Sequence, residues 1–302
     1  MPSFRKAKNQ AIYAVQKLIA HGHPRSETRK TGKISSVGTT RVYTQVYTQV
    51  AQWFKDTGRK EGLLRELNRS TAQEYLTWRS GTVSQKTLNS DRVALQKLLG
   101  EKLERVKSIY DKGRKLAQES RAYTPEQIKA ITVNMPERLA LATKIATACG
   151  LRAHELHTLQ KAEERPATSN RPWKDERFTG IEGKCYTVQG KGGLIREVRI
   201  SSELAQELEA RRLETPEKIT DRNVHYQKHY DVAGGQAWSQ AFSKTSKQTL
   251  GWSAGAHGLR HSYAQTRLEA LQAQGFNYAE AREIVSQEVG HFRQDITEVY
   301  LR

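Results

Sequence analysis

Several side chains in the second half of the sequence are of types that act at phosphorus: Arg152, Lys191, His257, Arg260, His291 and Tyr300, with Glu155 close by. A planar guanidinium can grip two phosphate oxygens at once. Cations beside a tyrosine, whose reference pKa is about 10, ease the loss of its proton and so prepare it to attack. Each residue alone also has an ordinary reading. Arg152 could pair with a carboxylate such as Glu155, Lys191 could be a solvated charge on a turn, His257 and His291 could sit at helix ends, and Tyr300 could be half-buried.

Their order and local context change this. Gly150-Leu-Arg152-Ala-His-Glu155-Leu is followed by Gly190-Lys191-Gly192, then His257-Gly-Leu-Arg260-His261, then Val289-Gly290-His291, then Tyr300 nine residues later. From about Thr124 to Tyr300 this resembles the catalytic signature of the tyrosine recombinases, the phage-type integrases. The N-terminal part is similar to that family only in being small, basic and helical.

The resemblance implies a site-specific recombinase that integrates or excises a mobile element by cleaving and rejoining DNA through a 3′-phosphotyrosyl intermediate. Tyr300 would be the nucleophile. Arg152, Arg260, His257 and His291 would cradle the non-bridging oxygens, Lys191 would protonate the departing 5′-oxygen, and Glu155 would orient Arg152. No metal is expected, because this scheme requires none and the sequence offers no carboxylate cluster that would demand one. No nucleotide cofactor is expected, because the phosphotyrosine conserves the energy of the broken bond, and there is no Gly-x-x-x-x-Gly-Lys-Ser/Thr loop. Three departures from the family stand out. The Arg260–His291 interval is long, with Gln272–Tyr278 as an insertion. Leu194-Ile195 occupies a position often basic, and the sequence stops two residues after Tyr300, so protomers couple differently or the sequence is a truncated form.

These residues need elements to hold them. Thr124-Pro125-Glu126-Gln127 combines an N-cap threonine, proline at the first helical position and glutamine three residues on, which predicts a helix start and a domain boundary near 119–124. A helix over 136–149 should end at Gly150, with another starting near Ala153. β-Branched and aromatic residues on both sides of Gly190-Lys191-Gly192-Gly193 predict a hairpin over 186–200 with Lys191 at its tip. Helices are expected over 203–213, 235–249, 259–273 and 278–289, and a short one capped by Asp295 should carry Tyr300. Upstream, apolar residues at helical spacing from Thr39 to Ser120 predict about four helices.

The fold expected is therefore mainly α with a small β-sheet, in a two-domain, C-shaped clamp. Residues 1–36 would form a basic arm, 37–120 a helical core-binding domain, and 121–302 a mixed α/β catalytic domain. The chain has 302 residues and a formal charge of +18. Residues 1–120 hold 24 Lys+Arg against 10 Asp+Glu, or +14, which points to an anionic partner through the first part. Arg5, Lys6, Lys8, Arg25, Arg29, Lys30, Lys33 and Arg41 are the candidate DNA contacts there. Cys149 and Cys185 are too few for a disulfide framework and lack zinc spacing.

The expected partners are double-stranded DNA, a homo-tetramer on paired sites and accessory DNA-bending proteins. No apolar run suits a membrane and no signal peptide is evident, so a cytoplasmic, nucleoid-associated protein is expected. Two rival readings remain open at this point: a type IB topoisomerase-like relaxation of supercoils, and a DNA-binding regulator that has lost catalysis.

Overall fold

A computed structural model describes residues 6–20, 28, 30–58, 64–110 and 120–301, and at Lys191 the backbone alone. The chain divides into two units, Met1–Leu116 and Ala117–Arg302.

In the first unit, helices α1 (Ala7–Gln16), α2 (Val37–Asp56), α3 (Arg69–Arg79) and α4 (Gln85–Leu99) enclose one core. Val46, Val50, Trp53 and Phe54 recur on one face of α2 and are buried against Tyr75, Leu76, Leu88 and Leu95. Tyr47 buries its ring there and donates its hydroxyl proton to Ala94 O at 2.8 Å. Asn68 closes a capping box with Thr71 at the start of α3, and Gly100 ends α4 in the left-handed conformation.

The described part of 1–36 is not a free arm. Ala7, Ala11 and Val15 of α1 are buried in this same core, Gln10 accepts from Leu64 N–H at 2.9 Å, and Ile19 bridges to Ile34. Small apolar residues at 7, 11 and 15 form a helical stripe that packs on α2, and this outweighs the local excess of charge. Residues 21–27, within the expected arm, lie outside the described residues.

The second unit begins with α5 (Pro125–Val133), whose Thr124–Gln127 capping box forms as the sequence predicts. Next comes α6 (Glu137–Cys149), ended by Gly150 at φ 56°. In place of the helix expected near Ala153 there is one short 3₁₀ turn, Glu155–Thr158. Strands β1 (Gln160–Lys161), β2 (Lys184–Gln189) and β3 (Ile195–Ile200) form an antiparallel sheet in that order, and β2 and β3 are the hairpin with Lys191 at its turn. After α7 (Ser202–Glu209) a second hairpin follows, β4 (Arg212–Asp221) with β5 (Val224–Tyr230). Helices α8 (Gly235–Leu250), α9 (Gly258–Ala273), α10 (Tyr278–Glu288) and α11 (Gln294–Thr297) complete the unit, and a 3₁₀ turn carries Tyr300. The N-cap of α11 is Arg293, and Asp295 lies inside the helix.

Trp238, Phe242, Leu141, Ile145, Val188, Val198 and Leu259 fill the main core; Ala264, Ile284, Val285 and Tyr300 form a smaller one. No helix among the described residues is long and apolar enough to cross a membrane.

Candidate active site

Gly150 is where the site starts. A Cβ there would stand 2.6 Å from Tyr263 Cδ1, so only glycine lets the end of α6 lie against α9 while adopting a left-handed φ. The chain leaves this cap through buried Leu151 and presents Arg152. Glu155 folds back on it, accepting Arg152 N–H at 2.8 Å on Oε2 and Arg152 Nη1 at 2.7 Å on Oε1. One carboxylate thus fixes both the backbone and the guanidinium of Arg152.

Arg260 lies on the first turn of α9. Its Nη1 donates to Gly150 O and its Nη2 to Val289 O, joining the ends of α6 and α10. The two guanidiniums differ in reach, since the Arg152 side chain is 23% exposed and that of Arg260 is 0% exposed. His291 follows Gly290 and places Nε2 2.9 Å from Arg152 Nη2 and 3.5 Å from Arg260 Nη2, while its Nδ1 lies 3.4 Å from Thr297 Oγ1. Tyr300 packs among these groups. Its ring centroid is 5.4 Å from that of His257, 4.8 Å from His261 and 5.5 Å from His291, and the Arg260 guanidinium lies 5.5 Å from it. Gln265, on α9, donates to Tyr300 O at 3.1 Å.

The electrostatics follow from this crowding. Burial raises the pKa of Glu155, but Arg196, Arg152 and Arg260 outweigh it and hold the carboxyl well below its usual range. Burial, then the neighbouring arginines, push His291 down to about 3. Burial and Arg260 take His257 down to about 4; burial, Arg121 and Arg260 do the same to His261. All three imidazoles are neutral at pH 7. Burial, then Arg152, lower Arg260 to about 9, which leaves it charged.

The structure therefore brings Arg152, Glu155, His257, Arg260, His291 and Tyr300 together. The backbone of Lys191 lies at the hairpin tip next to Gly190, where a Cβ would stand 3.2 Å from Glu155 Oε1 and 3.7 Å from Arg152 Nη1. The turn end of the hairpin thus abuts the Arg152–Glu155 pair. Of the candidate DNA contacts, Lys6, Lys8, Lys30, Lys33 and Arg41 are exposed on the first unit, and Lys33 Nζ donates to Lys17 O. Arg5, Arg25 and Arg29 lie outside the described residues.

Sequence reasoning passed over three members of the site. Thr297 gave no signal, and His261 was visible only as part of a motif. Arg196 did leave a trace, since along β3 it alternates with Val198 and Ile200 on the inward face, and an arginine in an apolar register calls for a buried partner.

No protein-family model and no curated protein matches the sequence. Solved structures do match. A XerH site-specific recombinase bound to palindromic difH substrate, in a post-cleavage complex, superposes with a TM-score of 0.54 at 16% identity, covering 100% of this chain and 94% of that one. A lambda integrase dimer bound to a COC' core site gives a TM-score of 0.54 at 13% identity over 97% of this chain and 76% of that one. A lambda integrase tetramer bound to a Holliday junction gives 0.53 at 12% identity over the same shares. The fold is that of the tyrosine recombinases. Within the tyrosine-recombinase fold, helical first unit and mixed second unit are both accounted for, because the superpositions span essentially the whole chain.

Proposed function

We propose that this chain is a site-specific DNA recombinase that breaks and rejoins strands through Tyr300. The observation that carries the reading is the packing of the Tyr300 ring against His257, His291 and the guanidinium of Arg260, with Arg152 bonded to His291 beside it. The Tyr300 oxygen forms a bond to phosphorus and releases its proton to solvent, and the bond from phosphorus to the 5′-oxygen breaks. The departing oxygen takes a proton, for which Lys191 is the donor. In the reverse sense a 5′-hydroxyl attacks the phosphotyrosine, releases Tyr300 and restores the backbone, so the bond count is conserved throughout.

Phosphoryl transfer spreads negative charge over the non-bridging oxygens, and fixed donors lower that barrier most. Arg152, the guanidinium that meets solvent, is the first ligand of the phosphate. Arg260 stands behind it as a fixed charge, and Glu155 keeps Arg152 aimed. Double-stranded DNA is the substrate, which the basic first unit attracts; tetramers on paired sites and a mobile-element role are part of the same proposal. The DNA-bound state of the XerH and lambda integrase neighbours supports it.

The test is a nicked duplex built from the sequences flanking the encoding gene, which traps the covalent intermediate when the short cleaved strand diffuses away. Wild type should give a denaturation-resistant protein–DNA adduct, and Tyr300→Phe should give none while binding DNA within about threefold of wild type, because phosphate contacts carry most of the affinity. An adduct from the phenylalanine variant would move the nucleophile elsewhere.

A further inference from the structure

We infer that Arg196 is a positioning residue that locks the β2–β3 hairpin to Arg152 and to the turn carrying His291; the inference rests on the strand-transfer reading of that site. Arg196 lies on β3, five residues beyond Lys191, with 1% of its surface exposed. Its Nη2 donates to Glu155 Oε2 at 2.9 Å and its Nη1 to Glu288 O at 2.6 Å. Its Cδ lies 2.9 Å from where a Cβ on Gly290 would stand. One guanidinium therefore touches the carboxylate that aims Arg152, the last residue of α10 and the glycine preceding His291.

The far side of this contact is itself fixed. Glu288 accepts from Arg267 Nε at 3.0 Å, Arg267 Nη2 at 2.8 Å and the Tyr263 hydroxyl at 2.8 Å. The hairpin cannot shift without breaking charge-assisted bonds between buried groups, where each is strong and an orphaned charge is costly. A space-filling role would suit an aliphatic residue like its inward neighbours Val198 and Ile200. Arg196 is too buried to reach a phosphate, so it acts through Glu155 and His291. A lysine in its place keeps the charge opposite Glu155 but lacks the fork that holds two partners.

The experiment uses the full chain with Arg196→Lys, Arg196→Gln, Glu155→Gln and the Arg196→Gln/Glu155→Gln double variant, on the same nicked duplex. Each Arg196 variant should slow adduct formation by about 10- to 100-fold, the scale of residues that orient others, with DNA affinity unchanged. The double variant should be no more than about threefold slower than Glu155→Gln alone, because the two act as a unit. Losses that simply multiply would overturn the inference. A second readout needs no DNA: in the free protein, Arg196→Lys should move the imidazole NMR signals of His291 and leave those of His257 in place. Unmoved His291 signals would also overturn it. Should Arg196→Gln fail to fold, Arg196→Lys carries both readouts. If wild type forms no adduct on the duplex, the strand-transfer reading fails by itself, and the His291 signals still decide the role of Arg196.

Discussion

Arg152 Nη2 lies 2.9 Å from His291 Nε2, and because a guanidinium only donates, the imidazole accepts there and is neutral. Its proton then resides on Nδ1, which faces Thr297 Oγ1 at 3.4 Å. The bond fixes the tautomer of His291 and the direction of Arg152 together, before any DNA arrives.

The neutral histidines make a pH prediction. His257, His261 and His291 are held at about 4, about 4 and about 3, against an ordinary 6.5. The rate of adduct formation at limiting DNA, which reports the free enzyme, should show no inflection near pH 6.5. Stability behaves differently. Between pH 6.5 and about 4 the unfolded chain takes up protons that the folded chain refuses, so the urea midpoint should fall steadily as the pH drops through this window. Glu155, depressed in the fold, adds a further loss below its ordinary 4.5. A midpoint that stays flat from pH 7 to 5 would contradict this assignment.

Gly150→Ala should destabilise the second unit by about 2 to 4 kcal/mol, combining a left-handed alanine with an overpacked contact against Tyr263. Gly100 is the control. It also caps a helix with a left-handed φ, but a Cβ there meets nothing within 4 Å, so Gly100→Ala should cost only about 1 to 2 kcal/mol. Urea unfolding of the two variants separates the terms, and equal losses would remove the close approach from the account.

Lys191→Ala should slow cleavage by about 10²-fold or more if it is the general acid. That loss alone does not distinguish acid catalysis from charge stabilisation. Replacing the bridging 5′-oxygen by sulfur supplies a leaving group that departs without protonation. Lys191→Ala should then cleave as fast as wild type, whereas Arg152→Ala should remain impaired because its proposed task is the non-bridging oxygens. A Lys191 variant equally defective on both substrates is not missing a proton donor.

Deleting residues 1–36 would remove Ala11 and Val15 from the first unit's core, so DNA contacts there are better tested singly. Lys8→Ala, Lys30→Ala and Arg41→Ala remove exposed charges. Each should flatten the log–log salt dependence of DNA affinity by about 0.9 for every phosphate that its side chain neutralises. A slope that none of the three changes would take DNA off these side chains.

Much of the second unit was legible because its signals are local. The Thr124–Gln127 box, the Gly150 cap and the Gly-Lys-Gly-Gly turn each specify geometry within a few residues. The β4–β5 hairpin was not legible. β4 is mostly exposed and polar and contains Pro216, which coincides with a register shift between Arg212 and Glu217, and its turn uses Arg222 and Asn223, both at positive φ, with no glycine. Of the site, the order of residues and the local pairing of Glu155 with Arg152 could be read, but the long-range partners Arg196 and Thr297 could not. Arg196 meets Glu288 across 92 positions, a distance no spacing rule spans.

The place of Arg260 also bears on how such sequences should be compared. Fully buried, it joins the carbonyls of Gly150 and Val289 and so holds two helix ends in register. A relative without the proposed chemistry could carry phenylalanine in place of Tyr300 at small structural cost, yet it could not surrender this arginine without reworking its interior. Across lineages, then, persistence of the arginine would mark descent of the architecture, and only persistence of the tyrosine hydroxyl would mark selection for the proposed strand cleavage.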